Sequence, residues 1–122
     1  MSKFTYLENP MTIRGKVYRN RLIAAPTLFA HSVFFLPEIA ENVYRMVENR
    51  AKGGFAAVST GELPVNNEEG TTLFMERAID MDDYDGDDFK KGKEYADRIR
   101  KHGALAYLEF SHEGAVAETK AP

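Results

Sequence analysis

Residue types that could bind a ligand are concentrated in three short stretches of the sequence. Each stretch directly follows an apolar run, and together they contain Ala25, Pro26, Thr27, His31, Gly61, Glu62, Glu109 and His112. A flat or apolar ligand would meet backbone amides, small side chains and one or two carboxylates at such positions. A few polar groups set among small and apolar residues are typical of sites for small organic molecules.

Metal binding is the alternative chemistry for part of this set. His31, Glu62, Glu109 and His112 supply the imidazole and carboxylate groups found in zinc and non-haem iron sites. Their separations follow no local ligand motif, so we expect no metal to be bound. A metal-dependent lyase or hydrolase on a β/α scaffold remains the second hypothesis.

An aspartate-rich run between residues 80 and 88 has the composition of a calcium loop but not its register. It contains six aspartates and one glycine, Gly86. If Gly86 took the sixth position of an EF-hand loop, Met81 and Gly92 would take the first and twelfth, where ligating side chains are needed. The sequence therefore predicts a solvated acidic loop that leads into a helix.

Two helices separate the three stretches. The first is predicted from Pro37, a residue suited to a first helical turn, to the Gly53-Gly54 pair. The second is predicted to follow an N-cap at Asp87 or Asp88 and to end at Gly103. Its buried side is predicted to comprise Phe89, Ala96 and Ile99.

Three apolar runs, at residues 22–25, 55–58 and 105–108, are predicted to be strands of a parallel sheet. None alternates cleanly, which is typical of strands buried on both faces. The resulting order β-α-β-α-β favours right-handed crossovers. The loops that follow the first two strands are long, and ligands bind at that edge in β/α folds. A hairpin is predicted in residues 11–18, within an amino-terminal cap of residues 1–20 ahead of the β/α units in 21–122.

Composition excludes several classes of protein. The chain has 122 residues, 43% of them hydrophobic, and no cysteine, which excludes disulfides, thiolate catalysis and iron–sulfur ligation within it. A net charge of −3 gives no electrostatic footprint for nucleic acid or an anionic membrane. Because no apolar run approaches a membrane span or a signal peptide, we expect a soluble, cytoplasmic protein.

Three segments together resemble the Old Yellow Enzyme family of NADH:flavin oxidoreductases, nearest to its 2,4-dienoyl-CoA reductase and bile-acid-inducible reductase branches. The segment from Asn20 to Thr27 resembles the first barrel strand of that family. The segment from Arg50 to Glu62 resembles the end of its first helix and its second strand. The segment from Leu108 to Gly114 resembles its Gln-Leu-x-His-x-Gly-Arg motif.

The resemblance implies an α/β fold, the amino-terminal part of a (β/α)8 TIM barrel that binds FMN at its carboxyl-end mouth. NADH or NADPH would supply hydride, and the substrate would be an activated alkene or enone. By matched position, the residues that contact the flavin would be Ala25, Pro26, Thr27, Gly61, Glu62 and Glu109. Glu109 takes the place of the family's flavin-binding glutamine, and His112 would form part of the site wall.

The resemblance also raises the question of length. A β/α barrel takes about 250 residues, so a chain of 122 residues is expected to be a truncated barrel that is inactive alone. The family's catalytic residues would lie beyond Pro122. We expect a small-molecule substrate, no nucleic acid or membrane partner, and self-association or a homo-oligomer. A non-enzymatic oligomerising module is the third hypothesis.

Overall fold

A three-stranded parallel sheet with two long helices forms the body of the chain, and an antiparallel hairpin precedes it. The computed structural model describes residues 4–27, 32–64, 79, 82–112 and 114. Its elements are α1 (Thr5–Glu8), β1 (Met11–Ile13), β2 (Lys16–Tyr18), β3 (Ile23–Ala24), α2 (Ser32–Phe35), α3 (Pro37–Lys52), β4 (Ala57–Pro64), α4 (Asp87–Arg100) and β5 (Leu105–Ser111).

Helix α3 confirms the first predicted helix. Pro37 occupies the first turn, where its missing N–H costs no hydrogen bond. Val43, Val47 and Ala51 follow one another at helical spacing and are buried against the sheet and α4. The helix ends at the glycine pair, since Gly54 adopts a φ of +105° that other residues rarely take.

Helix α4 is present, but its predicted N-cap is wrong. Gly86 is the N-cap residue, with extended backbone, and both Asp87 and Asp88 lie inside the first turn. There their negative charges interact favourably with the positive end of the helix dipole. The buried stripe is also displaced from the prediction, because Gly92, Tyr95 and Ile99 are buried. The predicted core residues Phe89 and Ala96 are only partly buried.

The sheet has the order β3-β4-β5, and both pairs of strands are parallel, as predicted. Strand β4 is central and buried along almost its whole length, whereas the edge strands are partly exposed. Burial on both faces therefore holds for β4 and is wrong for β3 and β5. Both β4 and β5 also run further than predicted, so Gly61 and Glu62 lie within a strand rather than in a loop.

The predicted hairpin is confirmed as β1 paired with β2. Its turn residues Arg14 and Gly15 have φ values of 46° and 77°, the pair of positive angles that two-residue hairpin turns of type I′ require. The hairpin packs onto the body through Tyr18, which is buried with Ala56 and Ala57. The hairpin thus packs against the amino-terminal end of β4.

The main core lies between the sheet and the helices α2, α3 and α4. Its fully buried members include Val33, Val47, Val58, Leu63, Tyr95 and Ile99. Val58 and Leu63 belong to β4, so the central strand packs against the helices through these side chains. Within the described residues, no helix is both long and apolar enough to span a membrane.

Candidate functional site

A shallow cleft at the carboxyl ends of the three strands brings together most of the residues proposed from sequence. It has a volume of about 130 Å³ and is lined by Pro26, Thr27, Gly61, Glu62 and Glu109. Pro26 and Thr27 follow β3, whereas the other three belong to β4 and β5. Residues from all three strands therefore meet at the edge of the sheet where β/α folds bind ligands.

Two further predicted residues lie outside the lining of this cleft. Ala25 precedes Pro26 and is exposed. His112 is also exposed, and its Nδ1 accepts a hydrogen bond of 3.0 Å from the backbone N–H of Gly114. The sequence had suggested His112 as part of the site wall, but its described contact is this local one.

An irregularity in β4 determines which side chains face each other in the cleft. Ser59 pairs with Tyr107, but the next pair is Glu62 with Glu109, so β4 contains one extra residue. Such a bulge re-aims the side chains that follow it. The Thr60 hydroxyl oxygen accepts a hydrogen bond of 3.1 Å from the backbone N–H of Glu109, a donor next to the irregularity. Two carboxylates consequently stand side by side on neighbouring strands.

Arg50 supports the cleft from α3, and it was not among the residues proposed for the site. Its Nη1 donates a hydrogen bond of 3.3 Å to Thr27 Oγ1. The guanidinium is partly buried, and its charge opposes the rise in the pKa of the Tyr95 hydroxyl that burial causes. Arg50 thus extends between the core and the cleft. The sequence offered no signal for this contact, because the two partners are 23 residues apart.

Near the carboxyl ends of α3 and α4, a second charged cluster surrounds Glu48. Its carboxylate contacts the Nζ atoms of Lys52 at 3.1 Å and Lys101 at 2.8 Å, and His102 Nε2 at 3.0 Å. Hydrogen bonds from Lys101, His102 and Lys52 lower the pKa of Glu48 to about 2. His102, which follows α4, thereby joins the ends of the two helices through Glu48.

The described part of the chain gives no support to the metal hypothesis. Glu62 and Glu109 share the cleft, but His112 does not line it, and His31 lies outside the described residues. No group of three or more histidine, aspartate or glutamate side chains is placed to hold a metal ion among the residues described. The described carboxylate pair alone falls short of the three protein ligands of catalytic zinc sites.

Three solved structures with a similar fold each match more than nine-tenths of this chain. A crystal structure of TcOYE with pHBA matches 93% of this chain, with a TM-score of 0.72 and 23% sequence identity. The old yellow enzyme from Trypanosoma cruzi matches 95% of it, with a TM-score of 0.64 and 19% identity. A 2-naphthoyl-CoA reductase in complex with 2-naphthoyl-CoA matches 94% of it, with a TM-score of 0.68 and 19% identity.

These matches establish the fold. The chain is α/β and has the architecture of part of a (β/α)8 barrel, as the sequence predicted. It spans 29% of each of the two old yellow enzyme chains and 17% of the reductase chain. No family model matches the sequence, and no curated protein matches it.

Proposed function

We propose that this chain forms part of the flavin site of an Old Yellow Enzyme-like oxidoreductase. In the complete enzyme, the residues that line the cleft would hold one edge of FMN, and the bound FMN would supply the transfer of hydride from NADH or NADPH to an activated alkene or enone. The observation that supports this proposal is the cleft, because residues from all three motif-bearing segments line it. Its place at the carboxyl ends of parallel strands agrees with the ligand-binding edge of a β/α barrel.

The chemistry of the cleft fits one edge of a flavin. The pyrimidine ring of a flavin carries carbonyl oxygens beside an N–H, so its edge needs both hydrogen-bond donors and acceptors. The Thr27 hydroxyl can donate, and the carboxylates of Glu62 and Glu109 accept. A volume of about 130 Å³ is below the roughly 300–1,000 Å³ of sites that enclose a ligand. These residues therefore account for contact with an edge, not for a complete FMN site.

Each residue of the cleft has a distinct part in this proposal. Pro26 and Gly61 are compact, so the flat ring can approach the backbone closely. Glu109 would accept a hydrogen bond from the ring N–H, and the irregularity in β4 sets Glu62 beside it. When FMN is bound, it supplies the hydride chemistry itself, while the protein supplies binding and orientation.

The test is an NMR titration of the 122-residue chain with FMN. We expect weak, saturable shifts of the backbone signals of Thr27, Gly61, Glu62 and Glu109, and no NADH-dependent reduction of an enone. The signals of Lys52 and Lys101, in the Glu48 cluster, provide an internal control. Absence of shifts in the cleft at millimolar FMN would refute flavin binding. Micromolar affinity combined with NADH turnover would refute the expectation that the chain is inactive alone.

Metal analysis of the same sample separates the two enzyme hypotheses. If the flavin proposal is correct, the purified protein binds FMN and contains no stoichiometric zinc or manganese. Colourless protein that carries one equivalent of either metal, and whose cleft signals do not respond to FMN, would instead support the lyase or hydrolase hypothesis.

A further inference from the structure

The contact between Arg50 and Thr27 constrains the chemistry of the cleft. A guanidinium has only donors, so in the 3.3 Å hydrogen bond the Thr27 hydroxyl oxygen is the acceptor. A hydroxyl has a single hydrogen, which remains available to donate in another direction. Among the described residues, no acceptor for that hydrogen is present. Since Thr27 lines the cleft, a ligand there would meet the hydroxyl as a donor.

The surroundings of Arg50 favour a fixed guanidinium rather than a solvated one. Arg50 is partly buried in the last turn of α3, whereas Arg45 on the same helix is exposed. In the part of the chain described, Arg50 forms no ion pair with a carboxylate, whereas Arg45 contacts Glu41 at 3.9 Å. The guanidinium of Arg50 thus contacts Thr27, and Thr27 in turn lines the cleft.

We propose that Arg50 is a positioning residue that makes Thr27 an oriented hydrogen-bond donor for a carbonyl oxygen of the bound ligand. The inference rests on the proposed function for the identity of that ligand, a flavin. The guanidinium withdraws electron density from the Thr27 oxygen, which strengthens donation by the hydroxyl. Arg50 itself does not touch the ligand; it acts through Thr27.

The first test needs no ligand. Three-bond couplings from the Thr27 methyl carbon to the backbone report whether its χ1 angle is fixed. We expect one rotamer in the wild-type chain and in the control Arg45→Met, and averaging between rotamers in Arg50→Met. Arg50→Lys, which keeps the charge and one donor, should restore part of the order. An unchanged Thr27 rotamer in a folded Arg50→Met chain would overturn the proposal.

The second test is a double-mutant cycle with FMN as the probe, measured by NMR titration. Arg50→Met should weaken FMN binding by roughly threefold to tenfold, the loss of about one hydrogen bond. In a Thr27→Val background the same substitution should have no further effect, because the hydroxyl is already absent. Equal weakening in both backgrounds would show a merely structural role and would overturn the proposal.

The two tests separate this proposal from the flavin proposal. If no variant binds FMN but Arg50 fixes the Thr27 rotamer, flavin binding is refuted and the orientation of the hydroxyl stands. If FMN binds and the Thr27 rotamer is independent of Arg50, the flavin proposal stands and the role of Arg50 is refuted. If Arg50→Met does not fold, Arg50→Lys in the Thr27 and Thr27→Val backgrounds decides the outcome in the same way.

Discussion

Glu109 and Glu62 face each other across β4 and β5, and both line the cleft. Two ionised carboxylates can only accept hydrogen bonds, so neither can donate to a flavin carbonyl. Replacing Glu109 by glutamine adds a donor and removes one of two neighbouring negative charges. We expect Glu109→Gln to tighten FMN binding by roughly threefold to tenfold in an NMR titration. Weaker or unchanged binding, with the distant Glu94→Gln variant as control, would show that an added donor at position 109 does not help to hold the flavin edge.

Glu48 links α3 to the end of α4 through an ionic cluster that should make stability depend on pH. Its pKa in the folded chain is about 2, below the ordinary 4.5, so the folded state favours the ionised form. This contribution is complete above about pH 4.5 and is lost as the pH falls toward about 2. Urea unfolding over this range should show a smaller loss of stability in Glu48→Gln than in wild type. The exposed Glu38→Gln on the same helix should retain the wild-type slope.

Among connections between elements, Arg19 makes a contact that its sequence context did not indicate. The basic residues around it, Arg14, Lys16 and Arg21, are all exposed, and Arg19 is not. Its guanidinium is partly buried and donates to the carbonyl oxygens of Ala51, Phe55 and His102. One side chain, directly after the hairpin, thereby ties this part of the chain to the last turn of α3 and to the residues that follow α3 and α4.

We therefore expect Arg19→Met to lower the free energy of unfolding by about 2–4 kcal/mol, since it leaves three carbonyl groups without their donor. Arg19→Lys should recover only part of this loss, because an ammonium group lacks the planar fork of the guanidinium. Urea denaturation measures both effects. The exposed Arg21→Met is the matched control and should change the unfolding free energy by less than about 0.5 kcal/mol.

Secondary structure was predictable where local sequence decides it. Pro37, the Gly53-Gly54 pair and apolar residues at helical spacing defined α3, and the apolar runs placed all three parallel strands. The N-cap of α4 was predicted wrongly because several neighbouring aspartates suit an N-cap position. The residue with the extended backbone of an N-cap is Gly86. Strand ends were also misjudged, because β4 and β5 continue by pairing with each other through polar residues.

The candidate site was predictable at the level of which segments meet, and less so in its contacts. Pro26, Thr27 and Glu109 follow or end strands, so a parallel sheet brings them to one edge. The one-residue shift that sets Glu62 opposite Glu109 depends on pairing between β4 and β5, which no local pattern encodes. The support from Arg50 depends on the same three-dimensional placement of distant segments.

For the whole molecule, the three-stranded sheet leaves two edges, β3 and β5, without a neighbouring strand among the described residues. A closed barrel has eight strands and no such edges. Beside β5, a groove of about 370 Å³ runs along α4, and its apolar lining includes Phe89, Ala96 and Leu108. The sheet edge and the groove are where a barrel would place its next strand and helix.

A strand with one open edge next to an apolar groove is a template for association with another chain. We therefore expect the 122-residue chain to self-associate in light scattering, to a degree that rises with protein concentration. Phe110, which is 53% exposed on β5, is the residue to change: Phe110→Lys places a charge on the edge and should shift the population toward monomer. Tyr6→Lys removes an aromatic ring that is 81% exposed but lies in α1, outside the sheet and the groove, so it should leave the association unchanged. A wild-type chain that stays monomeric at all concentrations, or an equal effect of both variants, would show that the open edge does not drive association.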